Sequence, residues 1–106
     1  MSNSYKVRIG RQASGDLWKS FEWGVENWGL ERAKKWLDQI DELIQVRLAT
    51  MPHSNPLAPE TFELDSEIRQ LLVGRYRILY TIEDDEVLVI RVRGPFTVVR
   101  DTNTSD

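Results

Sequence analysis

A chain of 106 residues, 41% hydrophobic and 29% charged, has the size and balance of one globular domain with a single modest core, not of a disordered segment or a two-domain protein. Zero cysteines and one histidine, His53, exclude a disulfide framework, a thiolate nucleophile and a cysteine-held metal, and leave zinc without its ligand set. A formal charge of −3 speaks against broad nucleic-acid binding, whose affinity comes from neutralised phosphates.

The opening residues, Met1 to Lys6, have no apolar h-region of a secretory signal, and no apolar run approaches the roughly 20 residues of a membrane span. The expectation is a cytoplasmic protein with no membrane, cofactor or metal. Tyr5 to Ile9 alternates apolar and polar residues and predicts a strand with Tyr5, Val7 and Ile9 on its buried face. A helix follows from about Ala13 to Trp28, with Leu17, Phe21, Val25 and Trp28 as its core-facing stripe. Gly29 is placed to stop it. A second helix is predicted from about Leu30 to Ala49, where Ala33, Leu37, Ile40, Ile44 and Leu48 keep helical spacing throughout. Two long helices joined around one glycine make an antiparallel hairpin.

Met51 to Glu60 holds Pro52, Pro56 and Pro59 and reads as an irregular connection. Beyond it the period changes to two. Ile68–Val73, Tyr76–Ile82 and Val87–Val92 read as three strands, divided by Gly74 and by the acidic turn Glu83 to Glu86. Short links imply antiparallel neighbours. The expected fold is α+β: an N-terminal strand, a two-helix hairpin and a three-stranded antiparallel meander, all in one sheet with the hairpin across one face. Residues 1–106 make a single domain with a core of about 5–101, and Thr102 to Asp106 read as a frayed tail.

Facing residues of an antiparallel pair share a side of the sheet. Setting Ile82 opposite Leu88, Tyr80 opposite Ile90 and Ile78 opposite Val92 gives an all-apolar inner face, whereas a slip by one residue would bring arginine into the core. The same register puts Arg77 beside Arg93, and Leu79 beside Arg91, on the opposite face. An open face bearing three arginines is the consequence. Lys6, Lys19, Lys34 and Lys35 all lie in the first third of the chain, whereas the last third carries Arg69, Arg75, Arg77, Arg91, Arg93 and Arg100 and no lysine. Arginine without lysine suggests bidentate work on carboxylate or phosphate, although a solvated outer face is the blander account.

Taken in order, these segments resemble the RelE/ParE superfamily of type II toxin–antitoxin toxins, and its ParE-like members in particular. The resemblance is carried by Ile68-Arg-Gln-Leu-Leu-Val-Gly-Arg-Tyr-Arg-Ile-Leu-Tyr80, the acidic turn, Val87-Leu-Val-Ile-Arg-Val-Arg93 and Leu48-Ala-Thr-Met-Pro52. The early strand and the Ala13-x-x-x-Leu17 helix start also fit, so the match spans about residues 5–101. It implies growth inhibition, a role in plasmid stabilisation, and a hetero-oligomer with a cognate antitoxin that wraps the active surface. It also implies one of two targets. RelE-like members are metal-independent endonucleases that cut mRNA on the ribosome, using basic residues and a proton-transferring tyrosine, histidine or glutamate. ParE-like members inhibit DNA gyrase and lack that set.

Carried over by position, Arg69 matches the arginine opening the Ile-Arg-x-Leu motif, Arg77 that of the Tyr-Arg-x-x-Tyr motif, and Arg93 the basic residue closing the last strand. With Arg91 these are the candidate catalytic residues of a ribonuclease. Arg77, Arg91 and Arg93, together with Trp23, are the candidate partner-binding residues. Where many relatives continue with histidine or a basic pair, this chain has Gly94-Pro95-Phe96. After Val92 it offers no His, Tyr, Lys or Glu, yet RNA cleavage wants an acid for the leaving oxygen and a base for the 2′-hydroxyl. Tyr76 and Tyr80 point inward in this register. The proton-transfer set looks incomplete.

Three further features have plainer readings. His53 sits in the proline-rich connection as a solvated loop imidazole, and Glu83 to Glu86 form a solvated turn rather than a metal site. Trp23 lies roughly 170° from the centre of the apolar arc of its helix and should face away from the sheet, either against a loop or in a partner surface, where tryptophan is enriched.

Overall fold

Gly29 divides the helical half of the chain. The computed structural model describes residues 4–94, in which α1 (Arg11–Trp28) and α2 (Leu30–Thr50) meet at this glycine, at φ 97°. A side chain adopts that backbone only with strain. Its N–H still donates to the Val25 carbonyl, so the first helix ends hydrogen-bonded and the second starts at once.

The buried stripe of α2 is the expected one: Ala33, Ile40, Ile44 and Leu48 are buried, and Leu37 packs half-buried against the core. That of α1 is rotated. It buries Ala13, Leu17, Ser20 and Gly24, while Phe21, Val25 and Trp28 are only half-buried on its flank. Close approach is the reason, since small residues let α1 sit against its neighbours. A Cβ added at Gly24 would stand 3.3 Å from the Ala33 Cβ and 3.0 Å from the Trp28 ring. Periodicity weighs apolar size, but here the interface selects for smallness.

The sheet comprises β1 (Lys6–Ile9), β2 (Arg69–Val73), β3 (Tyr76–Glu83) and β4 (Glu86–Arg93), in the order β1-β4-β3-β2. The last three form the expected antiparallel meander. β1 instead runs parallel to β4, so the sheet is mixed. A parallel neighbour needs a long crossover, and the helical hairpin lies within that crossover.

Register departs from expectation in half of the β3–β4 pair. Arg77 faces Arg93, Ile78 faces Val92 and Leu79 faces Arg91, as predicted, but Tyr80 then faces Val89 and Ile82 faces Val87. The skipped residue, Ile90, makes a β-bulge. It lets Val87, Val89 and Val92 all point into the core beside Ile40, Ile44, Leu48, Ile78 and Tyr80, in place of the Leu88, Ile90 and Val92 expected there. Ile90 passes to the opposite face and packs on a second small cluster of Ala58, Ile68 and Leu79.

That second cluster corrects the expectation of an open face. The connection is not wholly irregular: it forms a 3-10 turn at Pro52–Ser54, beside the Tyr80 hydroxyl, then passes over the far side of the sheet at Ala58 and enters a short helix, α3 (Glu60–Leu64), whose Glu60 meets Arg77. Ala58 N–H donates to Ile68 O and Gln70 N–H to Pro56 O, tying this segment to the outer edge of β2. Among the described residues no helix is long and apolar enough to cross a membrane. The tail at Thr102 to Asp106, and the outer end of the predicted core, lie outside the described residues.

Candidate functional site: an arginine face closed by its own acids

The four arginines do not form one surface. Arg69 lies at the start of β2, paired in register with Tyr80, and its Nη1 donates to Asn55 O (2.6 Å) and His53 O (3.4 Å). It fastens the proline-rich connection, with only a 4.0 Å approach to Glu67. Arg91, beside the bulge, turns to α1, where Nε donates to Asp16 Oδ2 at 2.9 Å and Nη2 to Oδ1 at 3.0 Å. Hydrogen bonding to Asp16 holds its pKa still further above the ordinary arginine value. The structure brings together only Arg77 and Arg93, cross-strand partners on the outer face.

Between these two stands Glu60, the first residue of α3. Arg77 Nη2 donates to Glu60 Oε1 at 2.8 Å and Nη1 to Oε2 at 3.3 Å, while Arg77 Nε donates to Gln70 Oε1 at 2.9 Å. Arg93 Nε stands 3.5 Å from Glu60 Oε2. It is buried yet has no hydrogen-bond geometry to any partner among the described residues, so the approach is a Coulombic contact only. Hydrogen bonding to Arg77, chiefly, holds the Glu60 carboxyl below its usual pKa. The cluster carries two cations and one anion. Every N–H-bearing nitrogen of Arg77 is used inside the chain.

No proton-transferring tyrosine joins this face. Tyr80 is fully buried, its hydroxyl donating to Pro52 O and accepting from Asn55 Nδ2. Tyr76 is half-buried, with its ring 5.3 Å from that of Trp36. Burial pushes both phenols above their ordinary pKa. His53 is exposed and stacks edge-on against Tyr5, away from Arg77 and Arg93.

Trp23 is 38% exposed on α1 and contacts the Trp28 ring edge-on at 5.4 Å. It is one wall of a groove of about 420 Å³, with Trp28, Trp36, Leu43, Tyr76 and Arg75 among the others. Trp23 is thus distant in role from the arginines: the candidate partner-binding residues are divided between an aromatic groove at Trp23, the Glu60-closed pair Arg77 and Arg93, and Arg91 turned to Asp16.

Sequence reasoning missed Glu60 and Asp16. Asp16 was legible in part, because an acid one position before the buried Leu17 needs a partner. Glu60 gives no such signal: Pro59-Glu60 reads as solvated loop until the connection folds over the sheet.

The model of the ParE toxin of the parDE type II toxin–antitoxin system matches residues 7–94. No curated protein matches the chain. Several solved structures share its fold, among them two toxin–antitoxin assemblies. The chromosomal ParDE toxin–antitoxin system from P. aeruginosa aligns with a TM-score of 0.70 and 18% identity, over 88% of this chain and 98% of that one. The RelBE2 toxin–antitoxin complex from Mycobacterium tuberculosis aligns with a TM-score of 0.66 and 24% identity, over 90% and 95%. At such identities the likeness is one of fold.

Proposed function

The chain belongs to the ParE toxin family of type II toxin–antitoxin systems, and from that premise we propose that it arrests growth in the cytoplasm by inhibiting DNA gyrase, without catalysing a reaction, and that a cognate antitoxin neutralises it. The observation carrying this reading is the chemistry of the Arg77–Arg93 face. Arginine can stabilise a developing charge, but at neutral pH it neither takes nor gives a proton readily. Tyr76 and Tyr80 lie on the other side of the sheet with raised pKa values. Losing general acid–base help typically costs about 10²–10⁴ in rate.

The other target reading, a ribosome-dependent mRNA endonuclease, has one observation in its favour: the Glu60 carboxylate lies between two arginines. As a base it is weak, since its lowered pKa and its ion pairs favour the ionised form. As an acid it has no proton to give at neutral pH. Two assays with purified toxin separate the readings, supercoiling by DNA gyrase and cleavage of mRNA on programmed ribosomes. The expected result is inhibition in the first and no cutting in the second. A-site cleavage that disappears in Arg77→Ala or Arg93→Ala, with gyrase untouched, would overturn it and make the chain an enzyme.

The same reading supplies a partner. An antitoxin segment presenting apolar and acidic side chains suits the exposed Trp23 and the basic residues, and a stable interface of ordinary size supports nanomolar affinity. Co-expression with the neighbouring gene should restore growth.

A further inference from the structure

Resting on that toxin reading, we propose that Arg77 and Arg93 form a carboxylate-binding cleft for an acidic side chain of the antitoxin polypeptide, and that Glu60 is its built-in occupant, which the partner's carboxylate displaces. Two guanidinium groups directly opposite each other on neighbouring strands repel, and such a pair needs an anion between them. Glu60 supplies one negative charge against two positive ones. Arg93 Nε, buried but without a hydrogen-bond partner, leaves donor capacity unused.

The cleft does not depend on Glu60 for its shape. Gln70 accepts from Arg77 Nε and so fixes the guanidinium with its two Nη atoms presented outward, whether or not a carboxylate is there. The occupant, by contrast, is held by charge rather than by apolar packing. α3 has five residues, none of them buried, and Phe62 on it is 86% exposed. Releasing Glu60 therefore sacrifices almost no apolar burial, and a two-oxygen anion from outside replaces it charge for charge.

A peptide carboxylate suits the site better than a nucleic-acid phosphodiester. The Arg77 fork already holds a planar carboxylate with both oxygens, a geometry arginine favours. Leu72, exposed and paired in register with Arg77, offers apolar contact beside the cation. A side chain sequence that mixes acidic and apolar residues uses both.

The test measures, at low ionic strength, the anisotropy of a fluorescein-labelled hexapeptide alternating leucine and glutamate, with labelled hexauridylate as the nucleic-acid arm. If Glu60 closes the cleft for nine-tenths of the time, its removal raises apparent affinity about tenfold. Glu60→Gln is expected to bind the peptide about that much more tightly than the natural chain, and Arg77→Gln added to it to abolish the gain. Hexauridylate should gain little. Unchanged or weaker peptide binding by Glu60→Gln overturns the proposal, as does an equal gain for hexauridylate. Should Glu60→Gln not fold, Glu60→Asp keeps the charge but withdraws it by one methylene, and must bind more tightly than the natural chain by a smaller factor; equal affinity overturns the cleft. Growth arrest by the expressed chain is scored separately. Its absence removes the toxin reading, whereas unchanged peptide binding beside intact growth arrest removes only the cleft.

Discussion

Asp16 on α1 holds Arg91 with both carboxylate oxygens and, through Oδ2, also accepts the Val92 backbone N–H at 2.8 Å. One side chain thereby fixes the helix against β4 beside the bulge, where a strand loses its regular partner. Asp16→Ala is expected to lower stability by about 1–2 kcal/mol. Hydrogen bonds to a charged group contribute roughly 1.5–3 kcal/mol, reduced here because Arg91 is partly solvated. Urea unfolding of the two chains measures it; a difference within error would mean that the bulge needs no anchor.

Trp23 and Ile40 make opposite expectations. Trp23→Ala removes a partly exposed ring whose described packing includes an edge-on contact with Trp28, and should cost no more than about 1 kcal/mol. Ile40→Ala removes a fully enclosed side chain and should cost roughly 2–5 kcal/mol through the cavity left behind. Thermal melts compare them directly. A large loss in the Trp23 variant would place that residue in the core and remove it from any partner surface.

Gly24→Ala opposes two effects of known sign. Alanine gains about 1 kcal/mol over glycine in a helix interior, but its Cβ would stand 3.0 Å from Trp28 Cε3 and 3.3 Å from the Ala33 Cβ. Overpacking typically costs about 1–3 kcal/mol. The expected outcome is a modest net destabilisation together with altered near-ultraviolet circular dichroism, because the Trp28 ring must move. A stabilised variant with an unchanged aromatic spectrum would show that the hairpin has slack at this point.

Acid should release Glu60. Its folded pKa is lowered, first by hydrogen bonding to Arg77, so its contribution is fully present above the unfolded carboxylate range and is lost as pH falls through the lower folded value. The difference in melting temperature between the natural chain and Glu60→Gln should therefore be constant from about pH 5 upwards and shrink below that. A difference that instead widened on acidification would contradict the assigned direction.

Periodicity made α2 legible because Ala33, Ile40, Ile44 and Leu48 satisfy one rule: large apolar residues toward the sheet. It misjudged α1 because Ser20 and Gly24 are buried for being small, a property set by how closely the neighbouring backbone approaches. The inner face of β4 failed for a related reason. Alternation assumes a period of two without interruption, and Ile90 breaks it.

The sequence by itself determined the order of the elements, the turn at Gly29, the pairing of Arg77 with Arg93 and the inward aim of Tyr76 and Tyr80, since these follow from local conformation and from alternation along single strands. Only the tertiary structure decided which way β1 runs, that Asp16 reaches Arg91 and that Glu60 lies between Arg77 and Arg93. Those partners are 75 and 17 residues apart for the two closest ion pairs. Whether such distant charges meet depends on the path of the connecting chain, and no periodic pattern encodes that path.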